Sequence, residues 1–136
     1  MIVGGHAVIY YTEPRYTKDL DSWIDAEPGN AVKVFRALAE FGAPLAGMTA
    51  DDFAQEGFFY QLGRPPLRVD IPTTIDGVQF ADAWSRRGRA DLGDRLAPVI
   101  SCAGLIANKR AVGRHIDLHD AELLEQAANK RTPAED

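Results

Sequence analysis

Short strand-like and helix-like segments alternate along this chain, and the alternation limits the folds that it can adopt. Residues 2–3, 58–62 and 67–71 have the apolar or alternating pattern of β-strands, whereas residues 31–41 repeat apolar side chains at helical spacing. The glycine and prolines at 63–66 leave the second and third of these strands close enough to pair as a hairpin. The sequence therefore predicts an α+β fold (mixed α/β), in which a mixed β-sheet is flanked by helices.

Residues that begin or end helices define further elements. Pro28 suits the first turn of a helix that Gly42 is well placed to end, and Ser101 is suited to cap another. A strand is expected within residues 15–24, where apolar and polar side chains alternate, and its regular part begins at about Lys18. The remaining expected elements are helices at 6–11, 50–55, 80–84 and 117–128 and a strand that ends at 99–100.

The composition fits one soluble domain. With 136 residues, 46% of them apolar and 26% charged, the chain is expected to form a single domain over residues 1–129 and a loose tail at 130–136. No apolar run approaches the ~20 residues that span a bilayer, so we expect no membrane partner and a cytoplasmic location. The net charge of −5 disfavours a surface that coats nucleic acid, but it is compatible with a nucleotide held through metal ions.

Three aspartates stand on the polar faces of two expected strands. Asp19 and Asp21 are two positions apart, so a strand projects both carboxylates to one side, about 6.5–7 Å from each other. Asp70 lies opposite the apolar face of its own strand, and neighbouring strands would bring all three acids together. Two divalent ions about 3.5–4 Å apart, most naturally Mg²⁺, would relieve their repulsion and support phosphoryl chemistry. The simpler interpretation is a solvated polar face.

The glycine pair Gly4-Gly5 stands between the first strand and a helical stretch. Without side chains at these positions a phosphate can approach the main chain, and the free N–H groups of the helix start favour an anion. A glycine pair alone more often forms a plain turn. Its position just before the acidic strand makes a phosphate site the hypothesis to test.

The pattern formed by these residues is similar to that of a known superfamily. Val3-Gly4-Gly5, followed by Asp19-Leu20-Asp21 and later by Val69-Asp70-Ile71, resembles the polymerase-beta-like nucleotidyltransferases. The stretches RYTKDLDSWID and PVISCAGLIANKRAVGRHIDLHD extend the resemblance to minimal bacterial nucleotidyltransferases, including toxins of the abortive-infection type. The resemblance implies a polymerase-beta-like fold, and it raises the possibility of one component of a toxin–antitoxin pair.

The resemblance also implies a reaction and roles for the residues that match. A nucleoside monophosphate would pass from a nucleoside triphosphate such as ATP to an acceptor hydroxyl, with release of pyrophosphate. Asp19 and Asp21 would hold both metal ions, and Asp70 would complete the site that activates the acceptor. Gly4 and Gly5 would contact the triphosphate. RNA, a protein and a small molecule all remain open as the acceptor.

Two further residues are candidates for nucleotide binding. Thr17 shares a strand face with the first acid and is expected to bond a phosphate oxygen or to orient an aspartate. Lys109 follows the apolar residues of its helix, and in domains similar to this one a lysine on that helix assists the phosphates. The alternative for Lys109 is an ordinary surface lysine.

Five arginines have less specific expectations. Arg15 and Arg68 lie on the acidic faces, where they either steer a triphosphate or, more simply, pair with aspartates. Arg86 and Arg87, with Arg89 close by, form a basic cluster whose simplest interpretation is a solvated helix end, with binding of an RNA acceptor as the alternative.

The chain departs from the family pattern in two places. Ser22 stands where an apolar residue usually follows the second acid, and Met1 stands where an amino-terminal helix and most of the first strand are expected. The second departure predicts an exposed strand edge, covered by a partner chain or a second copy in a homodimer, or an incomplete nucleotide pocket. The alternative function is therefore a nucleotide-binding or partner-binding domain of the same fold with weak or no turnover.

Overall fold

The computed structural model describes residues 1–17, 19–64 and 66–135, with the backbone alone for residues 131–135. The strands are β1 (Ile2–Val3), β2 (Asp19–Ser22), β3 (Phe59–Arg64), β4 (Leu67–Pro72), β5 (Gly88–Asp91) and β6 (Leu96–Val99). The helices are α1 (Gly4–Tyr11), α2 (Pro28–Phe41), α3 (Phe80–Ser85), α4 (Cys102–Val112) and α5 (His115–Glu135), with a short 3-10 helix at Ala50–Ala54.

The six strands form one mixed sheet in the order β3-β4-β2-β1-β6-β5. The hairpins β3–β4 and β5–β6 are antiparallel, β2 runs parallel to β4, and β1 runs antiparallel to β2 and parallel to β6. Helices cover the sheet, so the prediction of an α+β fold with a mixed, helix-flanked sheet is confirmed.

The strand at the amino end lies in the centre of the sheet. Ile2 and Val3 of β1 pair with Ser22 and Asp21 of β2, and Ile2 also pairs with Val99 of β6. The expectation of an exposed amino-terminal edge is therefore wrong, because β1 has a hydrogen-bonded neighbour on each side. The outer strands of the sheet are β3 and β5.

One apolar core joins the centre of the sheet to α1, α4 and α5. Val3, Trp23, Leu105 and Leu124 are each at least 96% buried in this cluster. Full burial of one such side chain stabilises the fold by about 1.5–3 kcal/mol. Trp23 also donates its indole N–H to the Thr73 carbonyl at 3.1 Å, so the first residue after β2 fastens that strand to the end of β4.

A second apolar core lies on the other face of β4, under α2 and the 3-10 helix. Phe53 is fully buried there, and its ring meets those of Phe58 and Tyr60 edge-on, with centroids 5.0 and 5.6 Å apart. Ile71 of β4 belongs to this cluster, whereas its neighbour Asp70 projects to the opposite face. Strand β4 therefore has one apolar face and one acidic face, as predicted.

The helix boundaries follow the residues that the sequence indicates. Pro28 begins α2 behind Glu27, whose carboxylate accepts two backbone N–H groups, and Gly42 ends α2 at φ 92°. Ser101 Oγ accepts the Gly104 N–H at 3.0 Å at the start of α4, and Gly113 ends α4 at φ 74°. The predicted roles of Pro28, Gly42 and Ser101 are therefore confirmed.

Other local expectations differ from the structure. Strand β5 was not predicted, because the arginines around Gly88 suggested a helix end rather than one arm of a hairpin. The 50–55 helix is a 3-10 helix, and the helical backbone of α5 runs through residues 130–135, where we expected a loose tail. Lys18, the expected start of the acidic strand, lies outside the described residues, as does Pro65 in the expected hairpin turn.

Nowhere in the described part of the chain is there a helix long and apolar enough to cross a membrane.

The cap of α4 provides a test of the fold. Replacing Ser101 with alanine leaves the Gly104 N–H without its side-chain acceptor and should lower the free energy of unfolding by about 1 kcal/mol. Urea denaturation followed by circular dichroism measures this change. Ser101→Thr keeps a hydroxyl and serves as the control. An alanine variant as stable as wild type would show that the cap contributes nothing.

Candidate functional site

The register of the sheet brings the predicted acids together. Asp21 of β2 pairs with Asp70 of β4 on one side and with Val3 of β1 on the other, while Gln61 of β3 pairs with Asp70. Paired residues of adjacent strands project to the same face about 4.8 Å apart. Asp19 lies two residues before Asp21 on that face. The prediction that the three aspartates share one face of two neighbouring strands is confirmed.

Asp21 is in an environment that disfavours its charge. Its carboxyl is partly buried, and burial together with the nearby negative charges of Asp70 and Asp19 raises its pKa from 3.8 to about 6. A hydrogen bond with the Asp70 side chain raises the pKa further, while the positive charge of Lys109 lowers it. The site therefore favours either a proton or a cation between Asp21 and Asp70.

The other two acids each have a polar partner from a neighbouring strand. Asp19 Oδ2 accepts a hydrogen bond from Arg68 Nη2 at 2.7 Å, so Arg68 pairs with an aspartate, as its simpler interpretation expected. Asp70 Oδ1 accepts the Gln61 side-chain N–H at 2.8 Å. Sequence reasoning missed Gln61, although the hairpin register places it directly opposite Asp70.

The glycine turn packs against the acidic strand. Gly4 has φ +67°, and a Cβ at this position would overlap the Asp21 carboxylate. A Cβ at Gly5 would lie 2.5 Å from Thr17 Oγ1. The chain can reach this close approach only because both residues lack side chains. Thr17 and the glycine pair therefore belong to the same site as the acids.

An open cleft of about 390 Å³ starts at this turn. Gly4, Gly5 and Asp21 line one side of it, and Lys109 of α4 lines another. The backbone N–H groups at the start of α1 and the Lys109 ammonium supply positive potential to a space that is also lined by the carboxylates of Asp21, Asp76 and Asp117. Such a combination suits an anion that is accompanied by a cation.

Lys109 is buried rather than an ordinary surface lysine. Its Nζ lies 3.2 Å from Asp120 Oδ2 and 3.5 Å from Asp117 Oδ1, both from α5. No local pattern predicts this pairing, because it depends on how α4 packs against α5. The two carboxylates hold the ammonium at the edge of the cleft.

Both partners of Lys109 have a second cation. Arg15 forks onto Asp120 at 2.6 and 3.0 Å, and Arg114 binds Asp117 at 2.6 Å. Burial raises the pKa of Asp120, but the Arg15 hydrogen bonds and the Lys109 charge together outweigh burial and lower it. The Arg114 hydrogen bond is the largest cause that lowers the pKa of Asp117. Arg15 thereby ties the segment before β2 to α5, rather than pairing with the three site aspartates.

The aspartate oxygens at the site are of the type that binds divalent cations, although the three side chains do not surround an ion position as they lie. Asp21 and Asp70 offer facing carboxylate oxygens, the ligand type that Mg²⁺ prefers. Asp19, the third donor, is bound to Arg68. Consistent with that engagement, no group of three or more His, Cys, Asp or Glu side chains within residues 1–17, 19–64 and 66–135 is arranged to hold an ion as it stands.

The basic cluster has partners on its own helix. Arg86 pairs with Asp82 at 3.4 Å, and the Arg87 guanidinium lies 4.0 Å above the Trp84 ring while donating to the Trp84 carbonyl. These contacts match the simpler interpretation of a solvated helix end.

No known protein family and no curated protein sequence matches this chain.

Substitution of Gly4 tests the close approach at the turn. Gly4→Ala should lower the free energy of unfolding by about 1–2 kcal/mol for its positive φ, and by more because the methyl group displaces the Asp21 carboxylate. Gly57→Ala is the matched control, because Gly57 has φ +76° with no atom within 4 Å of the added Cβ. Urea denaturation of both variants measures the difference. Equal losses of unfolding free energy in the two variants would show that the contact of Gly4 with Asp21 adds nothing to the cost of the positive φ.

The raised pKa of Asp21 predicts an unusual pH dependence. In protein treated with a chelator, the contribution of Asp21 to stability should decrease between pH 3.8 and about 6, since the folded state retains a proton that the unfolded state has released. Asp21→Asn should remove this decrease and be more stabilising at pH 7 than at pH 4. Urea denaturation across this range measures it, with the exposed Asp51→Asn as control. Parallel profiles for wild type and Asp21→Asn would be inconsistent with the shift.

Proposed function

We propose that this protein is a metal-dependent nucleotidyltransferase that transfers a nucleoside monophosphate from a nucleoside triphosphate to an acceptor hydroxyl and releases pyrophosphate. The observation that carries the proposal is the register of β2 with β4, in which Asp21 faces Asp70 beside the Gly4 turn. The resemblance of this glycine-and-acid pattern to polymerase-beta-like nucleotidyltransferases supports the same reaction.

The triphosphate would lie along the cleft between the glycine turn and α4. The main-chain N–H groups at Gly4 and Gly5 bind phosphate oxygens, and Thr17 is close enough to Gly5 to bond one as well. Lys109, fixed by Asp117 and Asp120, opposes the negative charge that develops on the leaving pyrophosphate. Each of these contacts comes from a backbone or side chain that is already held in place.

The acids have separate tasks in this proposal. Asp19 and Asp21 bind divalent cations, with Asp70 as a further ligand. When bound, two Mg²⁺ ions supply the positive charge that polarises the phosphate oxygens and lowers the pKa of the acceptor hydroxyl. Asp70 is oriented by Gln61, and it takes the proton of the acceptor hydroxyl as the new phosphate bond forms.

The proposal predicts that binding of magnesium and nucleotide depends on Asp19. Asp19→Asn should weaken the binding of Mg²⁺ with ATP, GTP, CTP or UTP at least about tenfold, since it removes a metal ligand while preserving side-chain shape. Isothermal titration with each triphosphate measures this loss. Asp51→Asn, an exposed substitution of the same kind on the 3-10 helix, should bind as wild type does.

Turnover distinguishes the enzyme from the non-enzymatic alternative. Wild-type protein incubated with Mg²⁺, the bound triphosphate and cellular RNA or protein fractions should release pyrophosphate and label one fraction, whereas Asp70→Asn should do neither. Unchanged nucleotide binding in Asp19→Asn would overturn the assignment of the site. Wild-type binding without pyrophosphate release from any fraction would support a nucleotide-binding domain instead.

A further inference from the structure

Arg68 occupies the acidic face in a way that the roles above do not explain. Its Nη2 binds Asp19 Oδ2 at 2.7 Å, while its Nε points to Asp70 Oδ1 at 3.8 Å, which is beyond hydrogen-bond distance. This Nε is buried and has no hydrogen-bond partner among the residues that the structure describes. A buried donor without an acceptor is costly, so the arginine is not fully satisfied where it lies.

Arg68 and a divalent cation would compete for the same acid. Asp19 Oδ2 holds the guanidinium, and the same carboxylate is needed beside Asp21 to bind a metal ion. A positive charge next to a divalent cation is unfavourable, so one of the two must give way. Arg68 has room to move, because its side chain is 32% exposed and its cross-strand neighbour on β3 is Gly63, which has no side chain.

A displaced Arg68 would remain on the strand face that carries the three aspartates, with its donors unused. The planar guanidinium fork matches the geometry of phosphate oxygens and binds them with two parallel hydrogen bonds. The β2–β4 register keeps the base of Arg68 next to Asp19, two positions before the pair in which Asp21 meets Asp70. A triphosphate that arrives with its metal ions supplies the acceptors that Arg68 lacks.

We propose that Arg68 exchanges partners during substrate binding: the metal ion takes Asp19 from it, and its guanidinium then binds the triphosphate. This inference rests on the proposed function and adds to it a residue that couples the metal site to phosphate binding. It has an unusual consequence, because Arg68 opposes the binding of metal alone and favours the binding of metal together with triphosphate.

Isothermal titration of R68Q with two probes tests the exchange. Mn²⁺ alone should bind R68Q about fivefold more tightly than wild type, and the preformed complex of Mn²⁺ with inorganic triphosphate should bind about fivefold more weakly. Inorganic triphosphate is used because it carries the phosphates without any choice of base. R64Q is the matched control, since it removes the same charge from β3 on the opposite face of the hairpin and should change both affinities less than about twofold.

R68K keeps the positive charge but lacks the paired donors of the guanidinium group. It also provides a test if R68Q does not fold. It should bind Mn²⁺ within about twofold of wild type but lose affinity for the triphosphate complex. The exchange would be overturned if R68Q left both affinities unchanged or moved both in the same direction. It would also be overturned if R64Q changed the two affinities as R68Q does. A wild-type protein that does not bind the Mn²⁺–triphosphate complex would instead overturn the proposed function itself.

Discussion

The parallel pairing of β2 with β4 is the constraint on which the candidate site depends. These strands are far apart in the sequence, and their register sets Asp21 against Asp70 and Asp19 against Arg68. A shift by one residue would turn Asp70 into the core under α2 and bring Ile71 to the polar face. The apolar face of β4 prevents this shift, since Ile71 is buried beside Phe53. The packing of one face therefore fixes the chemistry of the other.

Charge balance in the structure is local rather than global. The protein has a net charge of −5, yet Arg15, Lys109 and Arg114 converge on two buried aspartates of α5. Removing one charge from a pair that is buried on both sides, as Lys109 is with each aspartate, costs about 3–5 kcal/mol, so these pairs fix the position of Lys109. Asp21 and Asp70, by contrast, face each other, and among the described residues no cation is bonded to both. Cations therefore neutralise the acids that hold Lys109, whereas burial and acidic neighbours disfavour the charge of Asp21 where the cleft begins.

Local signals in the sequence predicted most elements and the acid cluster, whereas long-range packing limited the rest. Pro28, Gly42 and Ser101 act within one turn of their helices, so their effects were predictable from neighbouring residues. The acids were predictable because strand alternation gives each its face, although only the fold shows that β2 and β4 are adjacent. The central position of β1 and the burial of Lys109 depend on contacts between distant segments, which no local pattern encodes. Strand β5 was not predicted because Arg86, Arg87 and Arg89 around its start are typical of a solvated helix end.

The brevity of β1 has a mechanical consequence. Only two residues form this strand, and a single residue pair joins it to β6. The sheet thus has its fewest residue pairs between β1 and β6. This contact lies between the strands that carry the three aspartates and the β6–α4 connection that leads to Lys109. A rotation at the β1–β6 contact would change the distance between the carboxylates and the Lys109 ammonium. The β3–β4 and β5–β6 hairpins would remain intact. The width of the cleft between the aspartates and Lys109 therefore depends on this two-residue strand.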